Sequence, residues 1–339
     1  MPNRPTVSVV ICAYDEARWT ELRESVGSVD AQTSPPMEII VCIDHNEELL
    51  RKCEASFGNR RSAEAMPLIV LANKYNGHLG AARNTAAEVA SGAVLAFLDD
   101  DAVAAPDWLE RLTAPYDDER VGAVGGAPLP VFQASRPRWF PHEFDWILGC
   151  AYRGLPLTRA PLAHLIGANM SARRSVLVDV GGFHTDHQDD MDMSHRIAHA
   201  QHKVLYEPLA VVHHFVPTSR TTWRYFWRKC YFANRGKVEV FANMREAANL
   251  GAELAFVRRT LTTGVSVEIR YLIRGDLYGL ARVGAMIAGI VLAGLGHLAG
   301  RLSLCRPRRV PGSSRGAGTW RESGDRDRRP GRVPSGRVG

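Results

Sequence analysis

The chain has 339 residues, of which 45% are hydrophobic and 23% are charged, and its formal net charge is +6. This composition predicts a globular protein with one large core or two modest ones. The six cysteines are scattered without a CxxC pair, which indicates a reducing cytoplasm and argues against a disulfide framework or a zinc site.

The first 130 residues alternate apolar runs with helix-like stretches. Because the apolar runs are continuous, the pattern predicts βα units around a parallel sheet that helices cover on both faces. The first run, VSVVICAY, is too short for a signal peptide and leads directly into Asp15 and Glu16, so we interpret it as a buried strand. The predicted strands are 7–13, 37–43, 67–72 and 93–98, and the predicted helices are 17–29, 47–57 and 80–90.

Three adjacent aspartates, Asp99, Asp100 and Asp101, follow the fourth predicted strand. Like charges repel and each carboxylate resists desolvation, so the cluster needs a compensating charge. Ligands of open α/β sheets bind at the carboxyl ends of the strands, and carboxylates on a short turn suit Mg²⁺ or Mn²⁺ held together with substrate phosphates. A solvated acidic turn is the alternative, but it explains one aspartate better than three.

Two common phosphate-binding loops are missing from the sequence. There is no GxxxxGK[ST] motif, and no GxGxxG follows the first strand. A nucleoside triphosphatase and a Rossmann dehydrogenase are therefore both disfavoured.

Eight segments in chain order carry a resemblance to a known family. They are VSVVICAYDE near the start, IDHN after the second strand, GAARN before the fourth, LDDD at its end, GGAP at 125–128, IGANMSARRSVLVDVGGF at 166–183, QDDMDMSHR at 188–196 and YEPLAVVHH at 206–214. Over roughly residues 5–240 the chain resembles the inverting glycosyltransferases of family 2. The resemblance implies an α/β fold of the GT-A type, which is Rossmann-like with a mostly parallel central sheet, followed here by a C-terminal helical extension.

The resemblance divides the aspartate cluster between two tasks. Its first and third positions form the family's DxD motif, so Asp99 would face the nucleotide ribose and Asp101 would hold the metal, with Asp100 assisting either. His213 and His214 end an apolar strand, where a neutral imidazole can complete the coordination of a metal. The family register favours His214, and a structural histidine is the alternative. The predicted metal ligands are therefore Asp99, Asp101 and His214.

The resemblance also implies a nucleotide-binding turn after the first strand. Tyr14 would lie against the base, with Ala13 and Glu16 lining the same turn, while Asp44 would reach the edge of the base. A half-buried core position is the alternative for Tyr14. Arg83 near the start of a helix could face a phosphate or the base, because its guanidinium and the helix dipole both favour an anion. A surface position is the alternative for Arg83.

The segment QDDMDMSHR matches an acidic stretch whose second acid is the catalytic base in the family, and that position here is Asp190. Asp189 stands where a glutamate is common. Inverting transfer needs such a carboxylate to take the proton of the acceptor hydroxyl. Asp192 and Arg196 lie four residues apart and are predicted to form an ion pair. The run GAN, which ends at Asn169, would form the floor under the sugar.

Three stretches near the C-terminus bear on membrane contact. Residues 221–237 interleave aromatic and basic side chains, which suits a membrane interface, a phosphate-carrying acceptor or a helix packed on the catalytic domain. Residues 283–300 contain no charge, so a membrane-inserted helix and a soluble helix are both open. Residues 301–339 hold eleven arginines and three acids, a net charge of +8 that leaves −2 for residues 1–300. We predict that this tail is disordered. The net negative charge of residues 1–300 argues against a nucleic-acid partner.

These observations predict a GT-A domain over 1–240, with a nucleotide-binding half at about 1–130 and an acceptor-binding half at about 131–240, and a helical extension over 241–300. The predicted activity is metal-dependent inverting transfer of a sugar from a nucleotide diphosphate sugar, with UDP favoured, to a hydroxyl of a glycan or lipid-linked acceptor. Cell-envelope polysaccharide or glycolipid synthesis in the cytoplasm, at the inner face of the cell membrane, is the expected setting, with membrane contact through 221–300.

Two other classes stay open at this stage. A sugar nucleotidyltransferase also pairs an α/β sheet with aspartate-bound Mg²⁺, but it would carry a Gly-rich basic loop after the first strand, where CAYDE is acidic. A non-catalytic sugar-nucleotide-binding protein would keep the nucleotide pocket and could dispense with Asp190. The oligomeric state is not predicted.

Overall fold

The computed structural model of the chain describes residues 5–58, 66–184, 189–243 and 251–304. Its centre is a nine-stranded sheet in the order β3-β2-β1-β4-β8-β6-β9-β5, with β7 paired to β9. The strands are β1 (Val7–Ala13), β2 (Glu38–Ile43), β3 (Leu68–Ala72), β4 (Val94–Asp99), β5 (Ala102–Ala104), β6 (Val121–Phe132), β7 (Ala160–Pro161), β8 (Asn169–Arg173) and β9 (Lys203–Val216). The α-helices are α1 (Trp19–Asp30), α2 (Glu47–Phe57), α3 (Leu79–Val89), α4 (Trp108–Thr113), α5 (Arg174–Asp179), α6 (Asp189–His199), α7 (Trp223–Asn243), α8 (Gly251–Arg259), α9 (Val265–Ile273) and α10 (Tyr278–Leu304).

The N-terminal half forms the parallel part of the sheet, as predicted. Strands β3, β2, β1 and β4 are parallel neighbours, and separate apolar clusters cover the two faces. The ends of these strands lie within one residue of the predicted ones. The first helix differs more: Asp15 accepts a hydrogen bond from the backbone N–H of Ala17 and caps a short 3₁₀ turn, Glu16–Arg18, so the α-helix itself begins only at Trp19.

The second half of the sheet is mixed and brings distant residues to the aspartate cluster. β8 runs antiparallel to β4 and β6, whereas β9 is parallel to β6 and antiparallel to β5. β9 continues to Val216, so His213 and His214 lie inside the strand and not at its end, which corrects the sequence-based expectation. Pairing with β5 places His214 opposite Ala102, directly after the aspartates.

The C-terminal helices form a third apolar cluster with the 3₁₀ segment His142–Leu148. Helix α10 packs along α7 through glycines, because a Cβ at Gly296 would collide with the carbonyl oxygen of Tyr231 and one at Gly300 would lie 2.9 Å from that of Arg235. The opposite face of α10 is apolar and about half exposed, at Ile287, Val291, Leu295, Leu298 and Leu302.

Within the described residues, α10 is the one helix whose length and composition would allow it to cross a membrane. Both alternatives for residues 283–300 therefore stay open. The helix extends to Leu304 and so includes the first four residues of the predicted disordered tail, whereas residues 305–339 lie outside the described part of the chain.

Two glycines of α10 provide a matched test of this packing. We expect Gly296→Ala to lower the free energy of unfolding by about 1–3 kcal/mol, because the new methyl group must displace the backbone of α7. Gly294→Ala should raise it by about 0.5–1 kcal/mol, because nothing lies near its Cβ position and alanine favours a helix. Chemical denaturation of the two purified variants measures both effects, and equal effects would contradict the packing.

Candidate functional site

Two aspartates and one histidine converge at the carboxyl edge of the sheet. Asp99 is the last residue of β4, Asp101 lies in the turn before β5, and His214 faces that turn from β9. One ligand atom from each of these three residues lies within 4.8 Å of the other two. His214 Nε2 is 2.9 Å from Asp101 Oδ1, and its Nδ1 is 3.4 Å from the Sγ of Cys150, which fixes the plane of the imidazole.

The charges of this trio and its neighbours shift the pKa values of Asp99 and His214. Burial raises the pKa of Asp99, and the negative charge of Asp101 adds to the effect while Arg83 opposes it. For His214, burial lowers the pKa, but the hydrogen bonds and charges of Asp101 and Cys150 together outweigh burial and raise the pKa to about 10. The two carboxylates fit Mn²⁺ or Mg²⁺ chemically, because hard divalent cations prefer oxygen ligands, and a neutral imidazole can complete the coordination of a metal. Their role as metal ligands stays a prediction.

Asp100 points away from the trio towards Arg18. Its Oδ1 accepts a hydrogen bond of 3.0 Å from Arg18 Nη1, and its Oδ2 is buried with no partner among the described residues. Burial is the main reason why its pKa is raised to about 7. The predicted contact of Asp100 with the nucleotide sugar therefore stays untested, and its carboxylate is not one of the three clustered ligands.

Two arginines that the sequence analysis did not single out surround the cluster. Arg18 Nη1 lies 3.2 Å from Asp101 Oδ2, and Arg220 Nη2 lies 3.8 Å from the same oxygen. Arg18 comes from the 3₁₀ turn after β1 and Arg220 from the 3₁₀ turn Thr218–Thr221 after β9. Positive charge at this edge suits the phosphates of a substrate. No local motif marks either arginine, because each becomes part of the site only through the fold.

The predicted nucleotide-binding residues occupy neighbouring loops after β1 and β2. Ala13 ends β1, and the ring of Tyr14 beyond it is 58% exposed, which excludes the alternative of a half-buried core position. Glu16 forms an ion pair of 2.7 Å with Lys52. Although burial raises the pKa of Asp44, hydrogen bonds to its carboxylate, from the Asn73 amide first of all, lower it overall. Asp44 is thus held as an acceptor beside an exposed aromatic ring.

Arg83 is buried between the two acidic segments and is not a surface residue. Its Nη1 lies 2.9 Å from Asp189 Oδ2 and its Nη2 lies 3.4 Å from Asp99 Oδ1. Nη2 also donates a hydrogen bond of 2.9 Å to the carbonyl oxygen of Gly167. The guanidinium therefore joins the carboxyl end of β4 to the first turn of α6.

Asp190 lies at the start of α6 with its carboxylate held by backbone groups. Gly167 N–H donates to Oδ2 at 2.9 Å and Met191 N–H donates to Oδ1 at 2.8 Å. Burial raises the pKa of Asp190, the charge of Asp189 adds to this, and Arg83 opposes it. Asp190 and Asp99 line the same cavity of about 550 Å³. A carboxylate with a raised pKa in such a cavity suits a general base, although this role stays a prediction.

Helix α6 is braced by the predicted ion pair. Arg196 Nη2 lies 2.6 Å from Asp192 Oδ2, and His184 Nδ1 lies 3.0 Å from the same oxygen, so the pairing of Asp192 with Arg196 is confirmed. Arg196 also donates to the carbonyl oxygen of Gly182, which fixes the start of the segment before the helix. The residue before the helix, Gln188, lies outside the described residues.

Asn169 has a buried position in the core, and its contact with the nucleotide sugar stays a prediction. The residue is fully buried at the start of β8. Its Oδ1 accepts a hydrogen bond of 2.8 Å from the indole N–H of Trp108, and its Nδ2 donates one of 2.8 Å to the carbonyl oxygen of Ala210. The side chain thus ties α4 to β9 inside the core, and the cavity floor is formed by its neighbours Gly167 and Ala168.

The hydrogen bonds of Asn169 give a test of stability. Asn169→Ala should lower the free energy of unfolding by about 1–3 kcal/mol, because the buried N–H of Trp108 loses its acceptor. The affinity for a nucleotide diphosphate should stay within a factor of two or so of wild type. Urea denaturation and calorimetry measure the two quantities. A large loss of nucleotide affinity at unchanged stability would instead support a direct contact of Asn169 with the nucleotide sugar.

Comparisons with known proteins agree on one family. The family model described as Glycosyl transferase family 2 matches residues 8–181. The chain is 36% identical to a glucosyl-dolichyl phosphate glucuronosyltransferase of Haloferax volcanii, over 53% of this chain and 56% of that protein. It is 28% identical to a pre-mycofactocin glycosyltransferase of Mycobacterium tuberculosis, over 55% of this chain and 40% of that protein. The chain thus spans about half the length of these curated relatives.

A solved structure gives the fold. The mannosyltransferase PcManGT from Pyrobaculum calidifontis, in complex with GDP-Man and Mn²⁺, is similar with a TM-score of 0.55 and 19% identity, over 87% of this chain and 88% of that chain. The fold is therefore GT-A, as the sequence resemblance implied, with a C-terminal helical region.

Proposed function

The chain belongs to glycosyl transferase family 2, and from this premise we propose that it is an inverting glycosyltransferase that moves a sugar from a nucleotide diphosphate sugar to a hydroxyl of an acceptor. The single observation that carries the proposal is that Asp190 and Asp99 line one cavity, with Asp101 and His214 clustered beside Asp99. This reaction needs a carboxylate that takes the proton of the acceptor hydroxyl. It also needs a cluster of residues that can stabilise the charge of the departing diphosphate.

In the proposed mechanism Asp190 accepts the proton of the acceptor hydroxyl as its oxygen attacks the anomeric carbon. The attack comes from the side opposite the nucleotide diphosphate, so the configuration at that carbon inverts. Asp99, Asp101 and His214 would hold Mg²⁺ or Mn²⁺, which would stabilise the charge of the departing diphosphate. Arg83 holds the carboxylate of Asp189 at 2.9 Å, and the N–H of Gly167 orients the carboxylate of Asp190.

The donor is proposed to be a UDP-sugar. The exposed ring of Tyr14 would stack on the base while Asp44 accepts a hydrogen bond from its edge, and Ala13 and Glu16 line the same turn. Asp99 would meet the ribose, and Arg18 and Arg220 supply positive charge for the phosphates. A similar structure, GalNAc-T7 with UDP, GalNAc and Mn²⁺, supports this choice, whereas the mannosyltransferase neighbour carries GDP-Man.

The acceptor is proposed to be a glycan or a lipid-linked sugar in cell-envelope synthesis, at the cytoplasmic face of the membrane. The names of two relatives support this setting: a glucosyl-dolichyl phosphate glucuronosyltransferase and the succinoglycan biosynthesis protein ExoM of Rhizobium meliloti, which is 24% identical over 76% of this chain. The exposed apolar face of α10 would supply the membrane contact. We further propose residues 1–240 as the catalytic domain and 241–300 as its helical extension.

The test is turnover of donor by the purified full chain with Mn²⁺ and a panel of nucleotide sugars. Release of nucleotide diphosphate, strengthened by added acceptor and abolished by a chelator, is the expected result. Release of pyrophosphate would indicate a sugar nucleotidyltransferase instead. Binding of the nucleotide sugar without turnover under all conditions would indicate a non-catalytic binding protein.

A further inference from the structure

The cavity that contains the proposed base is lined by residues well beyond the aspartates. Its volume is about 550 Å³, and it extends from Asp99 and Asp190 to the C-terminal helices. The far wall is apolar and is built from Phe144 of the 3₁₀ segment, Phe256 of α8 and Ile290 of α10. A donor bound at the aspartates would use one end, so the remaining volume is available to a second ligand.

The apolar wall continues into a second cavity of about 540 Å³. The two cavities share Tyr152, Leu155, Leu162 and Phe256 in their linings, and the second one reaches Leu157, which is 92% exposed. Contact with apolar walls does not stabilise the binding of a polar sugar or diphosphate. A hydrocarbon chain is stabilised there, because its binding removes apolar surface from water. The two neighbouring cavities therefore place apolar surface between the base and the exterior of the protein.

Basic side chains of α7 line the same cavity next to the proposed base. Lys229 is close enough to Asp190 for their charges to interact, yet it forms no ion pair within the described part of the chain. Burial lowers the pKa of Lys229, and the nearby Arg220 lowers it further, so an anion bound beside it would offset both effects. Lys237, two turns along α7, lies 3.3 Å from Glu253 and is already paired.

We propose that this cavity binds the acceptor, and that the acceptor is a sugar linked to a lipid through a phosphate, with the phosphate at Lys229 and the hydrocarbon along the apolar wall. Such a molecule carries a hydroxyl, an anion and a hydrocarbon, and the cavity is lined by a group suited to each: Asp190, Lys229 and the apolar wall. A free glycan has no apolar part and would leave this wall facing water. The assignment rests on the proposed function and narrows its acceptor to one class.

The experiment measures binding of decyl phosphate to the full chain by calorimetry, below its critical micelle concentration, with decanol and inorganic phosphate as the two partial probes. Decyl phosphate should bind at least about tenfold more tightly than either partial probe. Lys229→Gln should weaken the binding of decyl phosphate about tenfold and leave that of decanol unchanged, because it removes one charge-assisted contact. The matched control is Arg228→Gln, which removes a cation that is exposed, as Lys229 is, and lies on the same turn of α7, but is not part of the cavity lining, so it should change neither affinity.

Several results would overturn the assignment. Decanol binding as tightly as decyl phosphate would indicate a neutral lipid, and inorganic phosphate binding as tightly would indicate a polar anion. Equal effects of Lys229→Gln and Arg228→Gln would indicate attraction by the general charge of α7. If the wild type releases nucleotide diphosphate but does not bind decyl phosphate, the acceptor class is wrong and the proposed function stands. If decyl phosphate binds but no nucleotide sugar is consumed, the proposed function is wrong and the acceptor role fails with it.

Discussion

Turnover of the nucleotide sugar is expected to fall by about 10²- to 10⁴-fold when Asp190 is replaced by asparagine. The amide has the size of the carboxylate but cannot take the proton of the acceptor hydroxyl. The binding of donor and metal should be retained, because Asp190 is not part of the trio of Asp99, Asp101 and His214. Steady-state release of nucleotide diphosphate measures the first quantity, and calorimetry with Mn²⁺ and the released nucleotide measures the second.

The matched control for this substitution is Asp107→Asn, which removes a carboxylate from an exposed ion pair with Arg111. Its turnover should equal that of the wild type. Thermal denaturation of both variants separates a lost base from a lost fold, since Asp190 accepts two backbone hydrogen bonds. Turnover by Asp190→Asn at the wild-type rate would show that another group takes the proton.

The pH profile gives an independent view of the same base. Only the deprotonated carboxylate can accept a proton, so turnover should rise with pH through the pKa of Asp190. Burial, and then the charge of Asp189, raise this pKa, which moves the acidic limb above the usual range of an aspartate. Asp189→Asn removes the repelling charge and should shift the limb to lower pH. If the acidic limb of the pH profile does not move, the charge of Asp189 has no influence on the group that titrates.

The second large effect is expected at the three predicted metal ligands, Asp99, Asp101 and His214. Asp101→Asn should weaken Mn²⁺-dependent binding of nucleotide diphosphate by at least about 100-fold, because Asp101 is the carboxylate that also contacts His214 and both arginines. The affinity of the variant in Mn²⁺ should then equal that of the wild type with a chelator. Calorimetry with and without chelator gives both values.

Asp100, the neighbour of Asp101 in the turn, supplies the control for Asp101→Asn. Asp100 lies outside the trio, and its carboxyl has a pKa near 7, so a neutral amide fits the site. Asp100→Asn should therefore keep the response to Mn²⁺. A variant Asp101→Asn that still responds to Mn²⁺ like the wild type would remove Asp101 from the set of metal ligands.

The parallel half of the fold is predictable because its signals are local. Continuous apolar runs end within one residue of β1, β2, β3 and β4, and the aspartate cluster follows the last of them. The antiparallel pairings of β8 with β4 and β6 leave no such signal, since a single chain does not reveal which distant strand completes a sheet. The position of His214 was found through the family register, although the strand continues two residues beyond it.

Site residues that lie in a recognisable motif could be predicted from the sequence. Residues that only the fold brings to the site could not. Arg18 and Arg220 are ordinary cations in the sequence, and they reach Asp101 from two separate 3₁₀ turns. Cys150 contacts His214 across 64 residues. The run GAN predicted Asn169 as part of the floor under the sugar, and nothing in the sequence indicates that its amide bonds to the indole of Trp108 and to a carbonyl oxygen in the core.

The link formed by Arg83 has a consequence for how substitutions combine. Its guanidinium bonds to Asp99 and to the carbonyl oxygen of Gly167, whose own N–H orients Asp190. The donor side and the acceptor side of the cavity are thus separated by a single arginine and a single glycine. Substitutions at Asp99 and Asp190 should therefore not be energetically independent, and the double variant should lose less than the two single variants together.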